Sequence, residues 1–182
     1  MYVDDSDMVP ELRQGDVVSL VHIVGAINLN AIQFISTAGT SGIGDATAWQ
    51  VPDRPKFGDA MVLSHSCEID LENTVKLTSI ILAPLRDVHT ATKPERIEEL
   101  IRSNYIDREA APASYLKYFY LDPNHRFENT KGCVVDFSKC YSVRKQSYEV
   151  LKKNKVAELK DDARESMAIK LALYFYRSQQ MA

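Results

Sequence analysis

The segment SHSCEID brings Ser64, His65, Ser66, Cys67, Glu68 and Asp70 together within seven residues. It closes an apolar run, AMVLSHSC (60 to 67), that reads as a strand, and strand alternation sends His65 and Cys67 to one face. A thiolate beside an imidazole is a nucleophile. The same pair, completed by Cys133 and Cys140 or by His89, could instead hold zinc, although H-x-C with a distant C-x6-C is no standard zinc spacing. A third reading makes Cys67 a small buried hydrophobe with His65 as its satisfied neighbour, while Glu68 and Asp70 open a turn. Under any of the three, Ser64, Cys67, Glu68 and Asp70 fall where a pocket rim is expected.

A second chemistry is electrostatic. Residues 1 to 93 carry 6 basic and 12 acidic groups, residues 94 to 182 carry 16 and 13, and the net charge of −3 hides this asymmetry. Between 139 and 160, Lys139, Arg144, Lys145, Lys152, Lys153, Lys155 and Lys160 face only Glu149 and Glu158, which makes this stretch the anion-facing candidate. The alternative is a solvated helix and flanking loops. Trp49, Tyr115, Tyr118, Phe119 and Tyr120 have the ring chemistry to stack on bases of single-stranded RNA, or to serve as core or dimer contacts.

These groups need a scaffold. VVSLVHIVG, AIQFIST, ATAWQV, AMVLSHSC and TSIILAPL read as strands, the last two as a central antiparallel pair, and PDRPKFGD as a loop. AGTSGIGD is glycine-rich, but its spacing is neither a dinucleotide nor a phosphate-loop fingerprint, so nucleotide cradling is rejected. PERIEELIRSNYI (94 to 106) has helical spacing, YLKYFYLD (115 to 122) and GCVVDFSKCYSV (132 to 143) return to strand composition, and 144 to 153 reads as a short basic helix. The last helix follows KDD, with Asp161 or Asp162 as cap and Met167, Leu171, Tyr174 and Phe175 on one face.

The 182 residues, 45% hydrophobic and 26% charged, suit a single α+β domain. The expected architecture is a small twisted antiparallel barrel over 14 to 143, with a surface helix inserted near 94 to 106 and a C-terminal helical cap over 144 to 182. Three cysteines are too few and too odd for a disulfide framework, the acidic start is unlike a secretory signal, and no stretch spans a membrane. A cytoplasmic location without membrane contact or cofactor is expected. RNA, a protein and a second copy of the chain all remain open as partners.

The order Gly15-Asp16-Val-Val, the VPDRP loop, the strand MVLSHSCEID and the strand SIILAPL resembles PemK/MazF-like proteins, over roughly residues 14 to 87 and more loosely beyond. The later segments are similar to uncharacterised barrel proteins carrying an LS-x-x-C-(D/E)-(I/L) segment. The resemblance implies an SH3-like β-barrel, a toxin-antitoxin or phage-defence setting, and RNA binding as a regulatory module or metal-independent RNA cleavage. For cleavage it puts Arg54 and Arg86 on phosphate with His65 as acid-base group. Arg54 occupies the family's arginine position, whereas Arg86 stands where the family has threonine or serine.

Overall fold

The computed structural model describes residues 1–23, 33–36, 47–50, 56–69, 79–105, 113–127 and 132–180. Its strands are β1 (Val17–Ile23), β2 (Gln33–Ser36), β3 (Thr47–Gln50), β4 (Lys56–Val62), β5 (Ser79–Asp87), β6 (Tyr118–Leu121), β7 (Cys133–Asp136), β8 (Tyr141–Arg144) and β9 (Lys155–Ala157). The helices are a single turn α1 (Ser66–Ile69), two short helices α2 (Ile97–Arg102) and α3 (Tyr148–Lys153), and the long α4 (Asp161–Gln180). This is an α+β fold.

Seven strands form one antiparallel sheet in the order β6-β7-β5-β4-β1-β9, with β8 also on β5, while β2 and β3 pair separately. The expected central pair is present, with Ala60 opposite Pro84 and Val62 opposite Leu82. The pairing path is open among the described residues, since its ends β6 and β9 are not neighbours. GCVVDFSKCYSV is one line of chain along β5 broken in the middle: β7 pairs with Leu85–Asp87 and β8 with Ser79–Leu82. The break has a local cause. Asp136 accepts hydrogen bonds from the Ser138 amide (3.1 Å) and hydroxyl (2.5 Å), a side-chain turn that competes with the ladder.

Alternation distributes the strand side chains between two buried faces, which is why the central strands read as continuous apolar runs. Val17, Met61, Ala83, Phe119 and Val135 enter one core, closed by Ala163, Met167, Leu171 and Tyr174 of α4. Their neighbours Val18, Ala60, Val62, Ile80 and Leu82 enter a second core beneath Tyr148 and Leu151 of α3, with Ile69 of α1. Further along that second face, Tyr118, Tyr120 and Val134 meet Val88 and Leu100 of α2. On α4 the expected face holds for Met167, Leu171 and Tyr174, whereas Phe175 is exposed and leans edge-on against Tyr174 at 5.3 Å.

The Gly15-Asp16 pair makes the turn into β1. Gly15 has φ +89°, and a Cβ there would come within 3.2 Å of Leu159 Cδ1, so glycine suits it on two counts. Asp16 accepts the Arg13 amide at 2.7 Å, closing the turn.

Four expectations need correction. The helix expected over 144 to 153 starts later, because Arg144 ends β8, Lys145–Ser147 forms a 3-10 turn and α3 begins at Tyr148. Residues 56 to 59 of the supposed PDRPKFGD loop belong to β4, where His22 and Ile23 of β1 pair with Phe57 and Lys56. The Pro94 helix is shorter than 94 to 106, a 3-10 turn over Pro94–Arg96 followed by α2. Strand character ends at Val62, and the residues after it turn into α1.

Candidate functional site

That last correction dissolves the alternation argument for His65 and Cys67, because Ser66–Ile69 is helical and strand periodicity does not reach it. The turn is fixed by hydroxyls. Ser64 Oγ accepts the Ile81 amide at 2.8 Å, and Ser66 Oγ accepts the Gln14 amide at 3.1 Å. Both serines are therefore committed to backbone donors, and they present exposed His65 at the end of β4. Cys67 and Glu68 occupy α1, while Arg54 and Asp70 lie outside the described residues.

Arg86 is far from this turn. It sits opposite Val134 near the other end of β5, and the register that pairs Ala60 with Pro84 separates it from His65 by about six or seven strand steps, on the order of 20 Å. Its guanidinium is engaged, Nη1 meeting Asp136 Oδ2 at 2.8 Å, with Asp136 buried and Arg86 38% exposed. His65 and Arg86 are not brought together, and Arg54, the other arginine of the cleavage expectation, lies outside the described residues.

Arg144 is brought close instead. It pairs with Ser79, and Ser142 pairs with Ile81, on the edge of β5 away from β4. Across β5, Leu63 donates its amide to Ile81 O at 2.9 Å and Ser64 takes the Ile81 amide. Two strand spacings, roughly 10 Å, separate the Ser64–His65 turn from Arg144. Lys145 follows in a 3-10 turn, and α3 carries Lys152 and exposed Lys153, Lys152 Nζ lying 4.0 Å from Glu11. Lys139 is exposed on the turn between β7 and β8, and Lys160 is exposed just before α4.

Lys155 departs from its neighbours. Its side chain is 5% exposed and its Nζ meets Asp16 Oδ2 and Glu158 Oε2, both at 2.8 Å, and the carbonyls of Val9 and Glu11 at 2.9 and 3.0 Å. Glu158 also receives Arg164 Nη2 at 3.1 Å and the Val9 amide at 3.1 Å. One cation of the basic stretch is thus a structural centre that ties the N-terminal segment to β9 and α4.

The remaining candidates are structural. Cys133 lies within the α4-side core, where burial pushes its thiol up to about 12, so it is neither a thiolate nucleophile nor a ready ligand. Cys140 packs against the same core, both are free thiols, and among the described residues no group of three or more His, Cys, Asp or Glu side chains could hold a metal ion. Tyr115, Tyr118, Phe119 and Tyr120 are buried, which makes them core residues rather than an open stacking platform, and Trp49's side chain lies outside the described residues. No helix among the described residues is long and apolar enough to cross a membrane.

No protein-family model matches the chain, and no curated protein matches it. Reasoning from sequence missed Lys170, a fully buried lysine on α4, because an isolated lysine on a helix reads as solvent-facing. Its position three residues after Met167, on the apolar face, was the available signal.

Proposed function

We propose that this chain is a non-catalytic binding module of the SH3-like barrel type, resembling the PemK/MazF-like proteins, that takes single-stranded RNA on the surface formed by Arg144, Lys145, Lys152 and Lys153. The observation that carries this reading is a contrast of positions. Arg144 reaches the same end of the sheet as the Ser64–His65 turn, while His65 and Arg86 stand at opposite ends of the β4–β5 pair. Cations gathered without an acid-base pair beside them among the described residues support phosphate neutralisation and counter-ion release rather than bond cleavage. A toxin-antitoxin or phage-defence setting belongs to this proposal through the resemblance alone.

Incubating the protein with mixed-sequence single-stranded RNA without metal, from about 50 to 200 mM salt, tests it. The expected result is a salt-sensitive mobility shift with intact RNA. Arg144→Glu with Lys145→Glu should weaken the shift at least tenfold and lower the salt slope by roughly 1 to 1.5. No shift at low salt, or a shift indifferent to these substitutions, would overturn the reading. Cleavage abolished by His65→Ala would replace it with the endoribonuclease reading.

A further inference from the structure

Further along the sheet from α3, the 3-10 turn over Pro94–Arg96 and the segments 91–93 and 114–118 frame a cleft of about 390 Å³ whose wall carries Thr92, Lys93, Glu95, Arg96, Tyr115 and Lys117. Its size lies within the range of small-ligand sites. We propose that this cleft binds a small phosphate monoester, at a site separate from the RNA surface.

Three cations and one carboxylate line the cleft, and neither Lys93 nor Lys117 makes an ion pair among the described residues. Two of the cations are already positioned. Arg96 donates from Nε and Nη2 to both oxygens of Glu99, at 2.9 and 3.2 Å, and its guanidinium lies 5.4 Å from the Tyr115 ring centre. That leaves Nη1, the outer donor pair of the planar fork, for another acceptor. Lys117 Nζ lies 4.9 Å from the Tyr118 ring centre. Tyr115 and Tyr118 are only 4% and 7% exposed, so the rings act as fixed floors beneath the cations.

A neutral donor completes the set. Thr92 Oγ1 and the Tyr115 hydroxyl are 3.0 Å apart, and whichever donates, the other oxygen keeps its proton for a ligand. Compact ammoniums, a half-used guanidinium and a free hydroxyl proton together match a group with three terminal oxygens. With Arg96 neutralised by Glu99, the three cations exceed the two carboxylates by one charge, and the two ammoniums of Lys93 and Lys117, which have no ion pair among the described residues, suit the terminal oxygens of a phosphate monoester. The walls contributed by Ala91 and the tyrosine edges provide apolar surface for the esterified group.

The test titrates phenyl phosphate, inorganic phosphate and phenyl sulfate into the intact protein at low salt and pH near 7.5, with binding mapped through backbone amide shifts. The expected result is saturable phenyl phosphate binding that moves the Thr92, Lys93 and Lys117 amides, with phenyl sulfate at least tenfold weaker. Equal affinity for inorganic phosphate would identify free phosphate as the source, and tighter phenyl phosphate an organic ester; either supports the site. Lys93→Gln with Lys117→Gln should weaken binding at least tenfold, whereas Lys152→Gln with Lys153→Gln should not. Absence of saturation, shifts confined to α3, or equal losses in the two double variants would overturn the proposal. The wild-type shift map decides the matter even if a variant unfolds.

Discussion

Lys155 on β9 and Lys170 on α4 are both withdrawn from water, yet among the described residues the first meets two carboxylates and the second none. Around Lys155, Asp16 and Glu158 supply opposite charge and two backbone carbonyls share its remaining donor capacity. Lys170 is 0% exposed, and among the described residues its Nζ reaches only Ser103 Oγ at 2.8 Å and Asn104 Oδ1 at 3.4 Å. Its titration reflects this, because burial drives the Lys170 amine down to about 7. A buried charge can be held by compensating charge or by giving up its proton. The same fold uses both.

The largest expected effect breaks the compensated side. Lys155→Met leaves Asp16 and Glu158 beside each other without their shared cation, and should cost about 3 to 5 kcal/mol in urea unfolding. A loss below about 1 kcal/mol would mean that Arg13 and Arg164 suffice to hold the carboxylates. Arg164 is within reach of Glu158 at 3.1 Å and Arg13 at 3.4 Å, so the double variant Lys155→Met with Arg164→Met separates the two contributions.

Next comes the scaffold of the uncompensated side. Asn104 faces the outer edge of β6 as a strand would, its Nδ2 donating to Tyr120 O at 2.7 Å and its Oδ1 accepting the Tyr120 amide at 2.9 Å. It therefore closes a sheet edge and receives Lys170 at once. Asn104→Ala should cost about 2 to 3 kcal/mol by leaving buried donors unpaired, and should speed amide exchange at Tyr120. Unchanged exchange would show that the edge is protected in another way.

Removing the amine itself should have the opposite sign. Because the folded-state value for Lys170 is near 7 and the unfolded one near 10.5, the unfolded chain binds more protons between those limits, and stability should rise as pH increases across that window. Lys170→Met should abolish that rise and stabilise the protein by about 1 to 3 kcal/mol at pH 7. Stability curves of wild type and variant that remain parallel from pH 7 to 10 would show that the amine stays charged throughout.

How much of this could be read from sequence depends on the range of the interaction. The runs AMVLSHSC and TSIILAPL point to the β4–β5 pair because Ala60–Val62 and Ile80–Leu85 are apolar on both faces, a signal contained in the strands themselves. SHSCEID misled because its apolar approach looks like strand while the hydroxyls of Ser64 and Ser66 capture distant amides and turn the chain. Lys155 read as one more solvated lysine, since Asp16 lies in the distant turn before β1 and no local pattern announces that pairing. The three-residue β9 is too short to leave a periodic trace. Of the candidate site, the residue types were legible, but the convergence of Arg144 with the Ser64–His65 turn follows from the register of β8 on β5, and register between non-consecutive strands is a property of the fold.

The smallest expected effect sharpens the compensated side from within. Asp16 and Glu158 share one ammonium but do not titrate alike. Burial raises Asp16 to about 6 against the pull of Lys155. At Glu158 burial acts in the same sense, but the hydrogen bonds from Lys155, Arg164 and the Val9 amide outweigh it and hold the carboxyl below its usual range. The asymmetry has a visible source, since Asp16 Oδ1 has no hydrogen-bond partner among the described residues while both oxygens of Glu158 are bonded. An acid whose folded-state value is raised binds more protons folded than unfolded between about 3.8 and 6, so its contribution is full below that window and is lost as pH rises through it. Asp16→Asn should flatten this falling limb, changing stability by about 1 kcal/mol at pH 5 while leaving the rise above pH 7 intact. If the variant alters the alkaline limb instead, the two buried lysines are coupled through α4, which carries both Arg164 and Lys170, and the contrast between them is a property of one network rather than of two separate sites.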